Sequence, residues 1–253
     1  MLASAANSIV RVLLAPGCVA CASVLDRPLD GPVCAACWRS LPRIAPPWCV
    51  RCGDALPSRL AGPCCARCEG RSSPIALARS AGRYDGPLRD IIHVFKYEGR
   101  RVLAPRLAAA MREAGADLLA GADAVVPVPL HPWRGMRRGF NQADDLARHL
   151  GLPVWRVLRR CRHGPPQAGL PAHERLANVH AAYAPAWRAR RVRNRVVVLV
   201  DDVMTTGATL EACATVLIAA GARSVSALTA ARAVAARPGP PPPRPRLSTA
   251  QRR

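Results

Sequence analysis

The chain has 253 residues, and 37 basic side chains against 16 acidic ones give it a formal net charge of +21. This length fits one or two domains and excludes a long repeat array, while a hydrophobic fraction of 50% excludes a chain that is disordered throughout. Because no apolar run approaches the roughly 18 residues of a membrane span, we expect a soluble, strongly basic protein without membrane insertion.

The N-terminal segment, residues 1–17, contains an apolar stretch at 9–15 that is interrupted by Arg11. No basic residue precedes Arg11, whereas a secretory signal begins with a positively charged region. We therefore expect a cytoplasmic protein. Its positive charge favours a polyanionic partner, nucleic acid or a phosphorylated metabolite, although a solvated arginine-rich surface explains the charge equally well.

Residues 18–68 carry a repeated cysteine pattern. Each half reads Cys-x2-Cys-x12-Cys-x2-Cys, and a shift of 31 residues superimposes the first set on the second. Two Cys-x2-Cys turns supply four thiolates to one tetrahedral zinc ion, whereas disulfides need an oxidising compartment. We predict a double zinc ribbon with two structural zinc ions, whose ligands are Cys18, Cys21, Cys34, Cys37, Cys49, Cys52, Cys65 and Cys68.

The order of these ligands does not decide how they pair. The repeat favours two consecutive ribbons over a cross-braced arrangement, which stays open. Because thiolates fill every position, both sites are closed and leave no coordination position for catalysis. The segment has few apolar residues, so metal binding is expected to provide its folding free energy.

After a linker at 69–75, residues 76–235 show an α/β pattern. Strands are predicted at 76–83, 124–130, 196–200 and 225–230, and helices at 87–97, 102–119, 142–150 and 208–220. The valine-rich run 196–200 is typical of a central parallel strand that is buried on both faces. The alternation predicts a parallel sheet with helices on both faces. Residues 236–253, rich in proline and arginine, are predicted to be a disordered tail.

Asp201 and Asp202 follow the valine-rich strand, and Thr205, Thr206 and Gly207 lead into the next predicted helix. Ligands of parallel α/β sheets bind at the carboxyl ends of the strands. Amide groups at a helix start, with threonine hydroxyls and a glycine, bind anions, and carboxylates accept hydrogen bonds from sugar hydroxyls. This order of features predicts a site for a phosphorylated sugar rather than an ordinary acidic turn with a threonine cap.

At these residues the chain resembles the type I phosphoribosyltransferases. Further motifs resemble the ComF family within that group: Phe95-Lys96-Tyr97-Glu98-Gly99, the run from Val126 to Pro132, and Arg138-Gly139-Phe140-Asn141-Gln142-Ala143. The resemblance implies a type I phosphoribosyltransferase-like α/β domain preceded by a double zinc ribbon. It also implies a substrate, 5-phosphoribosyl-1-pyrophosphate (PRPP), bound together with Mg²⁺.

The resemblance assigns roles to particular residues. Asp201 and Asp202 would hold the ribose 2′ and 3′ hydroxyls, and with Arg138 they form the expected catalytic group. The 5′-phosphate would be bound by Thr205, Thr206, Gly207, Ala208 and Thr209. The pyrophosphate would lie near Pro129, Leu130, His131, Arg134, Arg137, Asn141 and Lys96. Thr205 stands where purine-salvage members carry an aspartate, which disfavours purine salvage.

The resemblance implies a role in the uptake or use of external DNA, as in natural transformation. An enzyme of this kind would transfer the phosphoribosyl group to an acceptor that the sequence does not identify. The alternatives are a non-catalytic PRPP sensor and a single-stranded DNA-binding factor. Single-stranded DNA and competence proteins are further candidate partners, and a homo-oligomer stays open. The polar segment 162–178 is either a loop that closes over substrate or an ordinary excursion.

Overall fold

The computed structural model describes residues 2–58, 62–130, 139–161 and 182–233. Its strands are β1 (Ala78–Arg83), β2 (Ala124–Pro127), β3 (Leu158–Arg160), β4 (Tyr183–Pro185), β5 (Val196–Met204) and β6 (Ser224–Arg232). Four of them form a parallel sheet in the order β1-β6-β5-β2. β5 therefore lies between two strands, which confirms the predicted central strand.

Helices cover both faces of this sheet, with α3, α4 and α6 on one face and α7 on the other. The helices of the described part of the chain are α1 (Leu2–Leu14), α2 (Ala35–Arg39), α3 (Gly86–Tyr97), α4 (Ala104–Ala114), α5 (Ala116–Ala120), α6 (Gln142–Ala147) and α7 (Ala208–Ala219). Alternate residues of a strand point to opposite faces. Val198 and Val200 pack with residues of α3, α4 and α6, whereas Val197 and Leu199 pack with residues of α7. The predicted burial of β5 on both faces is confirmed.

The segment 102–119, predicted as one helix, is divided in the structure. A 3₁₀ turn (Arg101–Leu103) precedes α4, and Gly115 separates α4 from α5. A Cβ atom at Gly115 would lie 2.6 Å from Leu228 Cδ1 of β6. The break therefore occurs where the chain passes too close to the sheet for any side chain.

Besides the short helix α2 in the cysteine-rich segment, two features have no counterpart in the sequence predictions. The first is α1, whose residues Ile9, Val12 and Leu13 remain exposed, so the described side chains of this helix form no buried apolar stripe of the kind that marks a core helix. The second is the antiparallel pair β3–β4. Each of these strands has only three residues, which is too short for a recognisable alternation.

The cysteine-rich segment packs directly on the α/β domain. Cys18, Leu25 and Val33 share one buried cluster with α3 and α4. The Arg83 N–H donates to the carbonyl of Pro42 at 2.8 Å, and a Cβ at Gly82 would lie 2.8 Å from that same oxygen. No helix in the described part of the chain is long and apolar enough to cross a bilayer.

Candidate functional sites

The first four predicted zinc ligands come together at one point. The Sγ atoms of Cys18, Cys21, Cys34 and Cys37 all lie within 4.8 Å of one another, with 3.8 Å between Cys18 and Cys37 and 3.7 Å between Cys21 and Cys34. Sulfurs bound tetrahedrally to zinc at ~2.3 Å are about 3.8 Å apart. The Cys34 N–H also donates to Cys18 Sγ at 3.3 Å, which stabilises a thiolate. The geometry fits a structural zinc ion.

The second four ligands form a separate cluster of the same kind. The Sγ atoms of Cys49, Cys52, Cys65 and Cys68 also lie within 4.8 Å of one another, and those of Cys52 and Cys65 are 3.6 Å apart. Each cluster draws its members from one copy of the repeat. The favoured consecutive pairing is confirmed, and the cross-braced alternative is excluded.

The two acidic residues lie in the last part of β5, which continues to Met204 instead of ending at residue 200. The Lys96 ammonium of α3 lies 3.1 and 2.9 Å from the two carboxylate oxygens of Asp202. The side chains of Lys96 and Asp202 are 25% and 8% exposed. Since Asp202 is two residues from Val200, the pleat turns it toward the α3 face, and Asp201 toward the α7 face.

Asp201 is in an unusual electrostatic environment. Burial raises its pKa to about 7, and the neighbouring Asp202 carboxylate acts in the same direction. Lys96 and Arg160 favour the ionised form. The groups that face Asp201 come from its own strand and from α3, β3, β4 and α7: Asp202, Lys96, Arg160, Tyr183 and Cys213. Asp201 therefore binds a proton more readily than an exposed aspartate does.

A short loop connects β5 with α7. Gly207 has a φ of +87°, a left-handed conformation that glycine adopts without strain, and α7 begins at the next residue. The Ala208 N–H donates to Thr206 Oγ1 at 3.3 Å. Thr205 and Thr206 are exposed, while Ala208 is half-buried. Unpaired amides and the positive end of the helix dipole make such a loop suited to a phosphate group.

Asn141, predicted to lie near pyrophosphate, is engaged within the protein. Its Oδ1 accepts a hydrogen bond from the Ala143 N–H at 3.1 Å and so caps α6. Its Nδ2 donates to the carbonyl of Val128 at 3.0 Å. Asn141 thus anchors the chain that leaves β2, and the next two residues, Pro129 and Leu130, are half-buried.

Several predicted residues cannot be placed. The pyrophosphate loop residue His131 and the predicted cations Arg134, Arg137 and Arg138 lie outside the described residues, as do the segment 162–178 and the tail 236–253. The roles assigned to them stay predictions.

A cleft lies between the second cysteine cluster and the loop that connects β5 with α7. Thr206, Gly207 and Glu211 line one side, and Arg51, Arg67 and Arg71 are among the residues of the other. The Arg71 guanidinium is 3.7 Å from the Glu211 carboxylate, and Ser73 Oγ is 3.4 Å from Glu211 Oε1. The ribbon therefore contacts the first turn of α7.

Asp54 joins the second ribbon to the sheet, a connection that the sequence did not reveal. Its carboxylate accepts hydrogen bonds from both Arg232 Nε and an Arg232 terminal nitrogen, the latter at 3.1 Å, and also pairs with Arg67. The Arg232 side chain is only 4% exposed. Arg232 is the register partner of Met204, the residue just before the loop that connects β5 with α7. Asp54 and Arg232 thus fix the ribbon beside that loop.

Both parts of the chain match known protein families. A double zinc ribbon domain matches residues 9–69, and a phosphoribosyl transferase domain matches residues 135–241. The solved structure of the allosteric regulatory enzyme of purine biosynthesis matches 55% of this chain and 30% of its own, with 22% identity and a TM-score of 0.36. That similarity is too low to carry a functional argument.

Two relatives are more similar in sequence. Competence protein F of Haemophilus influenzae is 36% identical over 162 residues, which cover 60% of this chain and 71% of the relative. DNA utilization protein YhgH of Salmonella typhimurium is 34% identical over 160 residues, 58% of this chain and 67% of the relative.

The fold and the two cysteine clusters define a phosphoribosyltransferase-type α/β protein that carries a double zinc ribbon. The predicted fold class is confirmed. With the similarity to competence protein F, the chain belongs to the ComF family.

Proposed function

We propose that this protein binds PRPP together with Mg²⁺ at the carboxyl edge of its sheet, in the cytoplasm, and acts in the uptake or use of external DNA. The observation that carries the proposal is the sequence of elements along β5 and α7. A buried strand carries Asp201 and Asp202 in its carboxyl-terminal part, and a loop with Gly207 in a left-handed conformation leads into a twelve-residue helix. The relatives named for competence and DNA utilization support the biological role.

Each part of PRPP has a chemical counterpart in this proposal. The Asp201 and Asp202 carboxylates accept hydrogen bonds from the ribose hydroxyls. The loop from Thr205 to Thr209 binds the 5′-phosphate through backbone amides and hydroxyls. Lys96, already next to Asp202, contributes positive charge near the pyrophosphate, as do the predicted cations Arg134, Arg137 and Arg138. Mg²⁺, when bound together with PRPP, would offset the negative charge of the pyrophosphate leaving group.

As an enzyme, the protein would catalyse a displacement at C1 of the ribose. The acceptor forms a new bond to C1 while the C1–O bond to the diphosphate breaks, and pyrophosphate leaves with the bonding electrons. The proton of the acceptor's attacking group passes to water or to the leaving pyrophosphate. Preorganised positive charge stabilises the leaving group. A non-catalytic PRPP sensor is the second candidate. It is favoured by the exposed Thr205, since a hydroxyl at this position supplies no carboxylate base to an acceptor.

Calorimetric titration of Mg²⁺–PRPP into the full chain tests the proposal. We expect binding by the wild type and a loss of at least about tenfold in Asp201→Asn, because a charged hydrogen bond contributes roughly 1.5–3 kcal/mol. The matched control is Asp123→Asn, which alters the carboxylate at the opposite end of β5, where Asp123 accepts the Val196 N–H at 2.9 Å. Absence of binding by the wild type, or equal losses in both variants, would refute it.

A pyrophosphate-release assay on the wild type separates the two candidates. Release that depends on PRPP, Mg²⁺ and an acceptor such as a nucleobase or DNA supports the enzyme. PRPP binding without release, across those acceptors, supports the sensor.

The affinity for PRPP should fall as the solution becomes more acidic than pH 7. The pKa of Asp201 is raised to about 7, so its carboxylate, the form that accepts hydroxyl hydrogen bonds, is lost below that pH. At pH values far below this pKa, each further decrease of one pH unit should weaken PRPP binding about tenfold, if PRPP binds only when Asp201 is ionised. Calorimetry between pH 5.5 and 8.5 measures the slope, and Asp201→Asn should flatten it.

Acid unfolding would not explain such a loss. A carboxyl group whose pKa is higher in the folded protein than in the unfolded chain binds more protons in the folded state between those two values. Its contribution to stability therefore increases as the pH falls through 7 and decreases as the pH rises. Near pH 6 we therefore expect a lower affinity for PRPP together with an unchanged or higher melting temperature. The same pH dependence of affinity in Asp201→Asn would contradict the assignment to Asp201.

A further inference from the structure

A surface rich in arginine and tryptophan is formed by β3, β4 and the 3₁₀ turn Ala189–Val192. The two strands pair antiparallel, with Arg160 opposite Tyr183. The Ala186 N–H donates to the Val157 carbonyl at 2.8 Å, which keeps the chain after β4 beside β3. The arginine–tryptophan surface, as we call it, consists of Trp155, Arg159, Arg160, Trp187, Arg188, Arg190, Arg191 and Arg193.

The charge of this region has a single sign. Residues 155–161 and 182–195 contain eight arginines and no aspartate or glutamate. Arg156 pairs with Asp144 at 2.6 Å, and Arg195 pairs with Asp123 at 2.9 Å. Within the described part of the chain, the remaining six have no carboxylate in ion-pair contact. Because most of these six are exposed, they are available to an anionic partner.

Aromatic rings lie among these cations. Trp187 is 85% exposed, and the Arg188 guanidinium lies 4.6 Å from the centre of its ring. The Arg191 guanidinium lies 5.2 Å from the ring of Trp155. An indole beside guanidinium groups that have no carboxylate partner offers a flat face for stacking a base. The guanidinium groups offer positive charge to a phosphate backbone.

Charge and stacking together distinguish between anionic partners. Unpaired bases stack on exposed aromatic side chains, and this contact requires no particular base sequence. In a duplex, neighbouring base pairs cover the faces of the bases, so only phosphates and groove edges are available. An exposed tryptophan among arginines therefore suits a single strand better than a duplex.

The surface reaches the candidate PRPP site through β3. Arg160 lies 5.4 Å from the ring centre of Tyr183 and is close enough to Asp201 to favour its ionised form. Tyr183 in turn contacts Thr209 of the phosphate loop. One end of the surface, at Arg160, is therefore next to the candidate PRPP site.

We propose that the arginine–tryptophan surface binds single-stranded nucleic acid, with Trp187 as a stacking platform and Arg188 and Arg191 as phosphate contacts. The proposal deepens the proposed role in the use of external DNA and rests on it. It assigns to this surface a binding function separate from the contacts to PRPP.

Fluorescence anisotropy with a labelled 20-nucleotide oligo-dT, over a series of salt concentrations, tests the inference. Trp187→Ala should weaken binding about 5- to 150-fold, as expected for the loss of one base–aromatic stack. The variant with both Arg188→Ala and Arg191→Ala should lower the salt-dependence slope by about 1.4, since each phosphate contact to a single strand contributes about 0.7. A duplex of equal length should be much less affected by Trp187→Ala.

The matched control removes two arginines elsewhere. Arg11 and Arg27 are exposed and pair with Asp26 and Asp30, so the variant with Arg11→Ala and Arg27→Ala has the same net charge as the test variant. Equal weakening by both double variants, unchanged oligo-dT affinity in Trp187→Ala, or equal effects on single strand and duplex would each overturn the inference. Unchanged melting temperature confirms that Trp187→Ala folds, as expected for an exposed position.

PRPP titration of the same Trp187→Ala variant separates this inference from the proposed function. Loss of oligo-dT binding with PRPP binding retained supports both. Retained oligo-dT binding in a protein that binds PRPP rejects only the assignment of this surface. If oligo-dT binding depends on Trp187 but the wild-type protein does not bind PRPP, the proposed PRPP site is rejected and the assignment of nucleic-acid binding to the surface is retained.

Discussion

Removal of zinc is expected to unfold the cysteine-rich segment, residues 18–68. Structural zinc in small ribbons contributes about 10–16 kcal/mol of apparent binding free energy at neutral pH, which is as much as the whole stability of a typical domain. Each cluster holds four thiols in a geometry that fits one ion. A wild-type protein should contain two zinc ions by metal analysis, and Cys34→Ser or Cys65→Ser should each leave one.

The chain provides its own control for this experiment. Cys64 lies next to Cys65 in sequence but belongs to neither cluster. Cys64→Ser should therefore retain two zinc ions and the wild-type melting temperature, whereas a chelator should lower the melting temperature of both proteins. A wild-type protein with one zinc ion, or loss of an ion in Cys64→Ser, would show that the ligand assignment is wrong.

Asp54→Ala should destabilise the protein by about 3–5 kcal/mol, the usual effect of removing one partner of a buried ion pair. The substitution leaves the Arg232 guanidinium, which is almost fully buried, without a carboxylate. Urea unfolding followed by circular dichroism measures the change. Asp26→Asn is the control, because Asp26 pairs with Arg11 at an exposed position and such pairs contribute about 0–1 kcal/mol.

A double variant tests the physical reason for the effect. Replacement of both partners, Asp54→Asn with Arg232→Met, removes the unpaired buried charge and should recover part of the lost stability. A loss of less than about 1 kcal/mol in Asp54→Ala would show that Asp54 and Arg232 do not anchor the ribbon to the sheet. The same conclusion would follow if the double variant lost as much stability as the two single variants together.

The features that were predicted correctly from the sequence depend on residues that lie close together in the chain. The spacing of the cysteines predicted both zinc clusters because two thiols three positions apart in a turn approach one ion. The apolar run at 196–200 predicted the central strand because only a strand covered on both faces tolerates such a run. The start of α7 after Gly207 likewise follows from local backbone preferences.

Other features depend on residues that are far apart in the chain. The carboxylate of Asp54 and the guanidinium of Arg232 are 178 positions apart, and no local pattern connects them. The separation of Asp201 from Asp202 arises because β6 pairs with β5 as far as Met204, so that the pleat continues through both residues. Asn141 has an amide side chain that could bind a ligand. Its hydrogen bonds to Ala143 and Val128 become visible only when α6 and the end of β2 are placed together.

The chain has one lysine among its 37 basic residues, and that lysine contacts Asp202 at the candidate site. Lys96 is therefore the only side-chain primary amine in the protein. A reagent that acylates amines can modify this site and the amino terminus but none of the arginines, so the rate of acylation becomes a direct measure of whether the site is occupied. Acetylation of this one side chain would likewise remove the charge that faces Asp202 while leaving the rest of the basic surface unaltered.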